Sequence, residues 1–151
     1  GSSVFPAPLR PVLGATDYAA ACSISVAASG KALSKQAWNL VPAIRALDDA
    51  LGNPPTDRVV EVHPELAFRA LDRGVLDPKV TARGLVQRFA ALRPHMDVDT
   101  ALLEAPPLVP AIDALDACAA AWSARRLADG RSQCVGDGTT DARGRPMRIC
   151  W

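Results

Sequence analysis

The run Arg58-Val59-Val60-Glu61-Val62-His63 is rich in β-branched residues and is stopped by Pro64, which makes it the strongest strand signal in the chain. Almost everything around it follows a helical period. Only one further segment reads as a strand, Pro146 to Cys150, entered through the turn Asp141-Ala142-Arg143-Gly144. In a layered α/β domain the sheet supplies the surface that amphipathic helices cover, and these strands are too few to do so. Either the helices form a bundle or further strands precede Gly1, in which case the chain is an incomplete α/β domain of helices packed on a partial mixed sheet; Val59 to His63 is expected to be an internal strand.

The helices are bounded by readable signals. Residues Gly1 to Gly14 carry three prolines and no helical period, and read as an extended connector. Asp17 can cap a helix that ends near Ser29, with Gly30 as its left-handed stop. Ser34 can cap a second, with Ala37, Leu40, Val41, Ile44, Leu47 and Leu51 on its apolar face and Gly52 at its end; Pro42 should kink or split it. The segment Asn53 to Thr56 is a break. Pro64 opens a short helix to Leu71, with Gly74 as its stop. Asp77 and Pro78 open another, whose stripe is Ala82, Leu85, Phe89 and Leu92. The longest runs from about Val109 to Asp129, with Ile112, Leu115, Ala119 and Trp122 facing the core and Asp113 and Asp116 beside them.

Composition narrows the function classes. At 151 residues, 49% apolar and 22% charged, the chain reads as a single globular domain. A net charge of +1 gives no overall attraction to nucleic acid, so any such site must be local. Cys22, Cys118, Cys134 and Cys150 form no CxxC pair and are expected to be reduced thiols, with no zinc ribbon or redox motif. No stretch approaches the ~20 apolar residues of a membrane span. The N-terminal residues show no basic segment followed by an apolar one. A soluble cytoplasmic protein is the expectation.

Common nucleotide, esterase and zinc-protease motifs are absent, namely GxGxxG, the Walker loop, GxSxG and HExxH. Carboxylates are what the chain offers. Glu61 ends a strand, Glu65 follows it, and Asp113 and Asp116 lie on a helix. Hard cations such as Mg²⁺ take oxygen ligands, and carboxylates that hold two such ions can clamp a phosphodiester during displacement. Taken singly these are ordinary surface residues. His63 reads as a polar strand-end residue, Trp38 and Trp122 as core, and Arg125 and Arg126 as cations suited to a helix C-terminus.

Four segments taken together are more specific. Ser2-Ser3-Val4-Phe5-Pro6-Ala7-Pro8, Leu33-Ser34-Lys35-Gln36-Ala37-Trp38-Asn39-Leu40, Glu61-Val62-His63-Pro64-Glu65 and Asp113-Ala114-Leu115-Asp116-Ala117 resemble, in order, the signature segments of the domain of unknown function 429 family of RNase H-like nucleases. The similarity runs from Ser2 to about Trp151. It implies an RNase H-like fold and a nuclease using Mg²⁺ or Mn²⁺ to hydrolyse phosphodiesters in nucleic acid. In such domains one aspartate lies on the opening strand, a second acid on a later strand and a last aspartate on a helix. By that resemblance Glu61 is the second acid and Asp116 the last, both metal ligands, with Asp113 the close alternative to Asp116. Glu65 and His63 share the Glu61 motif.

The resemblance also implies a strand bearing the first aspartate ahead of the Ser-Val-Phe-Pro motif, whereas the first acidic residue here is Asp17. The expectation is therefore a domain lacking its N-terminal strands, inactive alone, with the remaining segment as a further partner on the same or a separate chain. The competing reading is a non-catalytic RNase H-like binding or regulatory module.

Overall fold

A computed structural model describes residues 7–52, 59–72, 74 and 76–151, and most of its helices begin where a side chain can accept from an exposed backbone N–H. Two units are distinguished, Gly1–Thr56 and Asp57–Trp151. The segment Ser2 to Pro6, the break at Asn53 to Thr56 and the expected strand residue Arg58 lie outside the described residues.

In the first unit the expected connector is partly ordered differently: Arg10–Gly14 forms a 3₁₀ turn that buries Val12 completely. Helix α1, Tyr18–Ser29, starts at Asp17, whose Oδ1 accepts from the Ala20 N–H at 2.9 Å, and stops at Gly30 with φ 73°. Helix α2, Lys35–Leu51, starts at Ser34, whose hydroxyl accepts from the Ala37 N–H at 3.1 Å. Pro42 does not split it. The proline lies on the exposed side, where its ring fits helical φ and the loss is the hydrogen bond the Trp38 carbonyl would accept. Leu40 and Leu47, expected on the apolar face, are exposed, and the helix buries Ala37, Val41 and Asp48. Ala37 and Val41 pack with Val12, Ala15, Ala21 and Leu33.

The second unit is mixed α/β. Its order is β1 (Glu61–Val62), α3 (Pro64–Leu71), α4 (Ala82–Leu92), α5 (Val98–Leu103), α6 (Ala111–Ala128), β2 (Cys134–Thr140) and β3 (Pro146–Cys150). Leu115, Ala119 and Trp122 of α6 are buried as their spacing predicts, against Phe68, Leu92 and Val98. Helix α4 begins at Ala82 under a Thr81 cap rather than at Asp77-Pro78, and Asp72, not Gly74, closes α3.

The sheet departs most from expectation. Its order is β1-β3-β2, with β1 parallel to β3 through Glu61↔Ile149 and Val62↔Cys150 and β3 antiparallel to β2. Among the described residues, the Val59–His63 segment thus contributes the two-residue edge strand Glu61–Val62 rather than an internal strand, and Val59 is exposed. A third strand, β2, accompanies the two expected. The expected reduced thiols at Cys134 and Cys150 are instead joined in a disulfide, leaving Cys22 and Cys118 free. Gln133 and Trp151 exchange two backbone hydrogen bonds of 2.9 Å, so the adjacent Cys134–Cys150 pair falls at a non-hydrogen-bonded position, where facing strands come closest. The Cα atoms there are 4.1 Å apart.

Candidate functional site

Asp116 is on the second turn of α6, one residue after the fully buried Leu115, which fixes it at the margin of the core. Its Oδ2 accepts from the Lys79 ammonium at 2.9 Å. Its Oδ1 is buried and has no hydrogen-bond partner among the described residues. Buried carboxylate oxygens are ordinarily satisfied, so this one marks a place where a donor or cation would be accommodated. Asp113, one turn earlier, is exposed in the first turn of α6, where a carboxylate complements the helix dipole.

The strand motif is divided by its surroundings. Glu61 is exposed on β1. The carbonyl of His63 accepts from the N–H groups of Leu66 and Ala67 at the start of α3, while its Nδ1 is buried without a partner among the described residues. Glu65, in the first turn of α3, is gripped by Arg88: Nε reaches Oε1 at 3.1 Å and Nη2 reaches Oε2 at 2.7 Å. Such a two-point contact fixes the carboxylate plane as well as its charge.

Arg88 is buried, its side chain only 3% exposed. Its Nη1 donates to the carbonyls of Asp77 at 3.0 Å and Gly84 at 2.9 Å, and its guanidinium lies 5.4 Å from the centre of the Phe68 ring. One side chain thereby ties α3 to α4 and to the loop before α4. The sequence signal for Arg88 was its spacing, since it falls three residues after Leu85 and four before Leu92 on the apolar stripe. Lys79 gave no such signal: a lysine in a polar loop is unremarked until the loop is placed.

The structure does not assemble the expected carboxylates into one cluster: among the described residues no group of three or more His, Cys, Asp or Glu side chains could hold a metal ion. In kind, the donors fit a hard divalent cation, since Asp116 presents a carboxylate with an orphaned buried oxygen, and Mg²⁺ is commonly held through one or two carboxylates. Beside β1 runs an open groove of about 740 Å³ lined by Val59, Val60 and Val62 and by Ala120, Ala121, Ala124, Leu127 and Ala128 of α6. Its alanine floor leaves room for close approach of another backbone, and among the described residues β1 pairs on one side only, with β3.

No curated protein and no solved structure matches the chain. The family model described as protein of unknown function (DUF429) matches residues 1–141, and the chain belongs to that family.

Proposed function

We propose that this chain is an RNase H-like, divalent-metal-dependent phosphodiesterase acting on nucleic acid, with Asp116 as the principal ligand, Glu61 as the second and Asp113 as the alternative on α6. The observation that carries the reading is the Asp116 carboxylate, with one oxygen held by a cationic side chain and the other buried and without a partner among the described residues. A bound Mg²⁺ or Mn²⁺ would supply charge stabilisation to the phosphodiester oxygens during displacement. The chain's own part is to hold Asp116 at the edge of a rigid core. Arg88 keeps Glu65 neutralised and fixed, so that Glu65 supports the start of α3 rather than serving as a ligand.

The groove between β1 and α6 is where the proposal places a further strand bearing the first aspartate, since its alanine floor suits an extended partner and β1 has one strand neighbour among the described residues. The alternative, a non-catalytic module, is favoured by the pairing already present: Asp116 and Glu65 are each matched by an internal cation. No helix among the described residues is long and apolar enough to cross a membrane. A cytoplasmic location is part of the proposal, and it makes Cys134–Cys150 the feature to check, because disulfides are rare in reducing compartments.

The test is cleavage of DNA and RNA with Mg²⁺ or Mn²⁺, by the chain alone and by the chain joined to an aspartate-bearing strand segment. Cleavage is expected only from the joined form, and Asp116→Asn should lower it more than ~100-fold, as loss of charge stabilisation worth several kcal/mol requires. Full activity in the Asp116→Asn protein overturns the mechanism. Absence of cleavage under every condition favours the binding module.

A further inference from the structure

The connection from α5 to α6 reads Glu104-Ala105-Pro106-Pro107-Leu108-Val109-Pro110, and both of its ends are fixed. Val98 of α5 and Leu115 of α6 are wholly buried in the same cluster, and the Pro110 carbonyl accepts from the Asp113 N–H at 2.9 Å as α6 begins. Between them the Val109 N–H donates to the Pro106 carbonyl at 3.1 Å, closing a four-residue turn whose third residue is Leu108, at φ 74°. Glycine or asparagine is the usual occupant of that conformation, and Leu108 is the one non-glycine residue with positive φ among the described residues. Its side chain is also fully exposed, and Leu103 at the end of α5 is 86% exposed. A single exposed leucine is ordinary. One held in left-handed backbone and left unburied is favoured by neither packing nor conformation, and such strained positions gather at binding sites. Pro107 and Pro110 have the spacing of a polyproline ligand, but φ 74° at Leu108 departs from that helix's φ of about −75°, so the turn presents the leucine side chain and not a proline ridge.

Charge narrows the partner. Residues 97–124 contain five acids and no lysine or arginine. Asp97 caps α5, Asp99 pairs with Arg93 and Asp116 with Lys79, whereas Glu104 and Asp113, on either side of the turn, have no ion pair among the described residues. We propose that the turn 106–109 is a docking knob: Leu108 enters an apolar pocket on a partner protein, and Glu104 and Asp113 meet lysine or arginine at its rim. A membrane surface or a nucleic acid, both anionic, would be repelled by the same carboxylates. A second copy meeting through this loop about a two-fold axis would set like charges against each other. Proline at positions 106, 107 and 110 holds the knob in shape before binding, so little ordering is left to oppose association.

The experiment places a photoreactive diazirine side chain at Leu108 of the full chain, with Val80, 88% exposed, as the control position, and irradiates it in an extract of the source cells. The crosslinked protein is then purified and its binding to unlabelled variants measured by surface plasmon resonance. Affinity should fall more than about ten-fold in Leu108→Asn, as for an anchor at the centre of an interface, and persist in Leu108→Met. Glu104→Gln should slow association about two- to three-fold at low salt and leave dissociation unchanged. Leu108→Asn alone should unfold at the same or a higher urea concentration, because asparagine tolerates left-handed backbone. A lower midpoint would show that Leu108 serves the fold and overturns the docking role. So does crosslinking no stronger than at Val80, or an affinity that Leu108→Asn leaves intact. Leu108-dependent sedimentation with phosphatidylcholine–phosphatidylglycerol vesicles, or Leu108-dependent dimerisation, assigns the knob to a different occupant and overturns the protein partner as well.

Discussion

Within the unit Asp57–Trp151, the helices and the sheet are held together in opposite ways. Helices α3, α4, α5 and α6 share one buried cluster in which Phe68, Leu92, Val98 and Leu115 are wholly enclosed. Strand β2 buries nothing along its length, and Val135 and Met147 on the hairpin face solvent. The sheet is kept by backbone pairing, one disulfide and the packing of Trp151 against the helical cluster. Asp116 is carried by the first kind of structure and Glu61 by the second. The two proposed ligands therefore differ in how firmly they are placed, which is a physical reason for the Asp116 end of the site to be better organised.

The largest effects should come from the helical side. Arg88→Met removes the donors to Glu65, Asp77 and Gly84 together, and should destabilise by about 3–5 kcal/mol, as breaking a buried charged network does. Phe68→Ala should cost about 3–5 kcal/mol from lost burial and the cavity left behind. On the hairpin, Val135→Ala should stay within about 0.5 kcal/mol, because its side chain already meets water. Urea unfolding measures all three. Equal losses in Phe68→Ala and Val135→Ala would erase the contrast between core and sheet.

Reduction of the disulfide probes the other side. Cys134 and Cys150 are separated by 16 positions, and closing a loop of that size restricts the unfolded chain by about 3 kcal/mol on the entropic account. Reduction should accelerate hydrogen exchange in β2 and in Glu61 and Val62, since Val62 pairs with Cys150, while α3, α4 and α6 keep their protection. Alkylation of the denatured, unreduced protein should modify two cysteines, Cys22 and Cys118, and leave Cys134 and Cys150 unmodified. In the native state Cys118 should react slowly, because burial raises its thiol pKa. Uniform loosening of helices and strands on reduction would show that the sheet is integral to the core.

The same contrast governs what could be read from the residues. Asp17, Ser34, Gly30 and the face Leu115, Ala119, Trp122 were legible because a helix start, a helix stop and a buried stripe are written within a few neighbouring positions. Strand β2 was not, since Cys134-Val135-Gly136-Asp137-Gly138 holds two glycines and an aspartate and has little strand preference of its own. Its partner imposes the conformation. The disulfide was hidden for the same reason, because Cys134 and Cys150 face each other only after β2 and β3 pair. At the site, Asp116 and Glu65 could be named as carboxylates, but their cations could not. Lys79 and Arg88 lie 37 and 23 positions away from them, distances that only the folded chain closes.

The smallest expected effect separates two carboxylates of similar chemistry on the two kinds of structure. Asp97 caps α5, accepting from the Thr100 N–H at 3.1 Å and the Thr100 hydroxyl at 2.8 Å, and the backbone bond is the main cause holding its pKa below the ordinary 3.8. Asp137, on β2, accepts from the Thr139 hydroxyl at 2.6 Å and the Thr139 N–H at 2.9 Å, and the hydroxyl is the main cause of its lowered pKa. In both cases the folded chain binds its proton less readily than the unfolded one. The stabilisation is present above the unfolded value, about pH 4, and is lost as pH falls through the folded value. The next residue after Asp97 is Val98, wholly buried in the helical cluster, so loss of that cap is coupled to cooperative unfolding. Asp97→Asn keeps a side chain able to cap but cannot titrate, and should flatten the acid limb of the melting temperature while leaving its neutral value nearly unchanged. Asp137→Asn should leave the melting curve alone at every pH and alter only hydrogen exchange in the hairpin. A shift in the acid limb as large for Asp137→Asn as for Asp97→Asn would mean that the hairpin and the helices unfold as one.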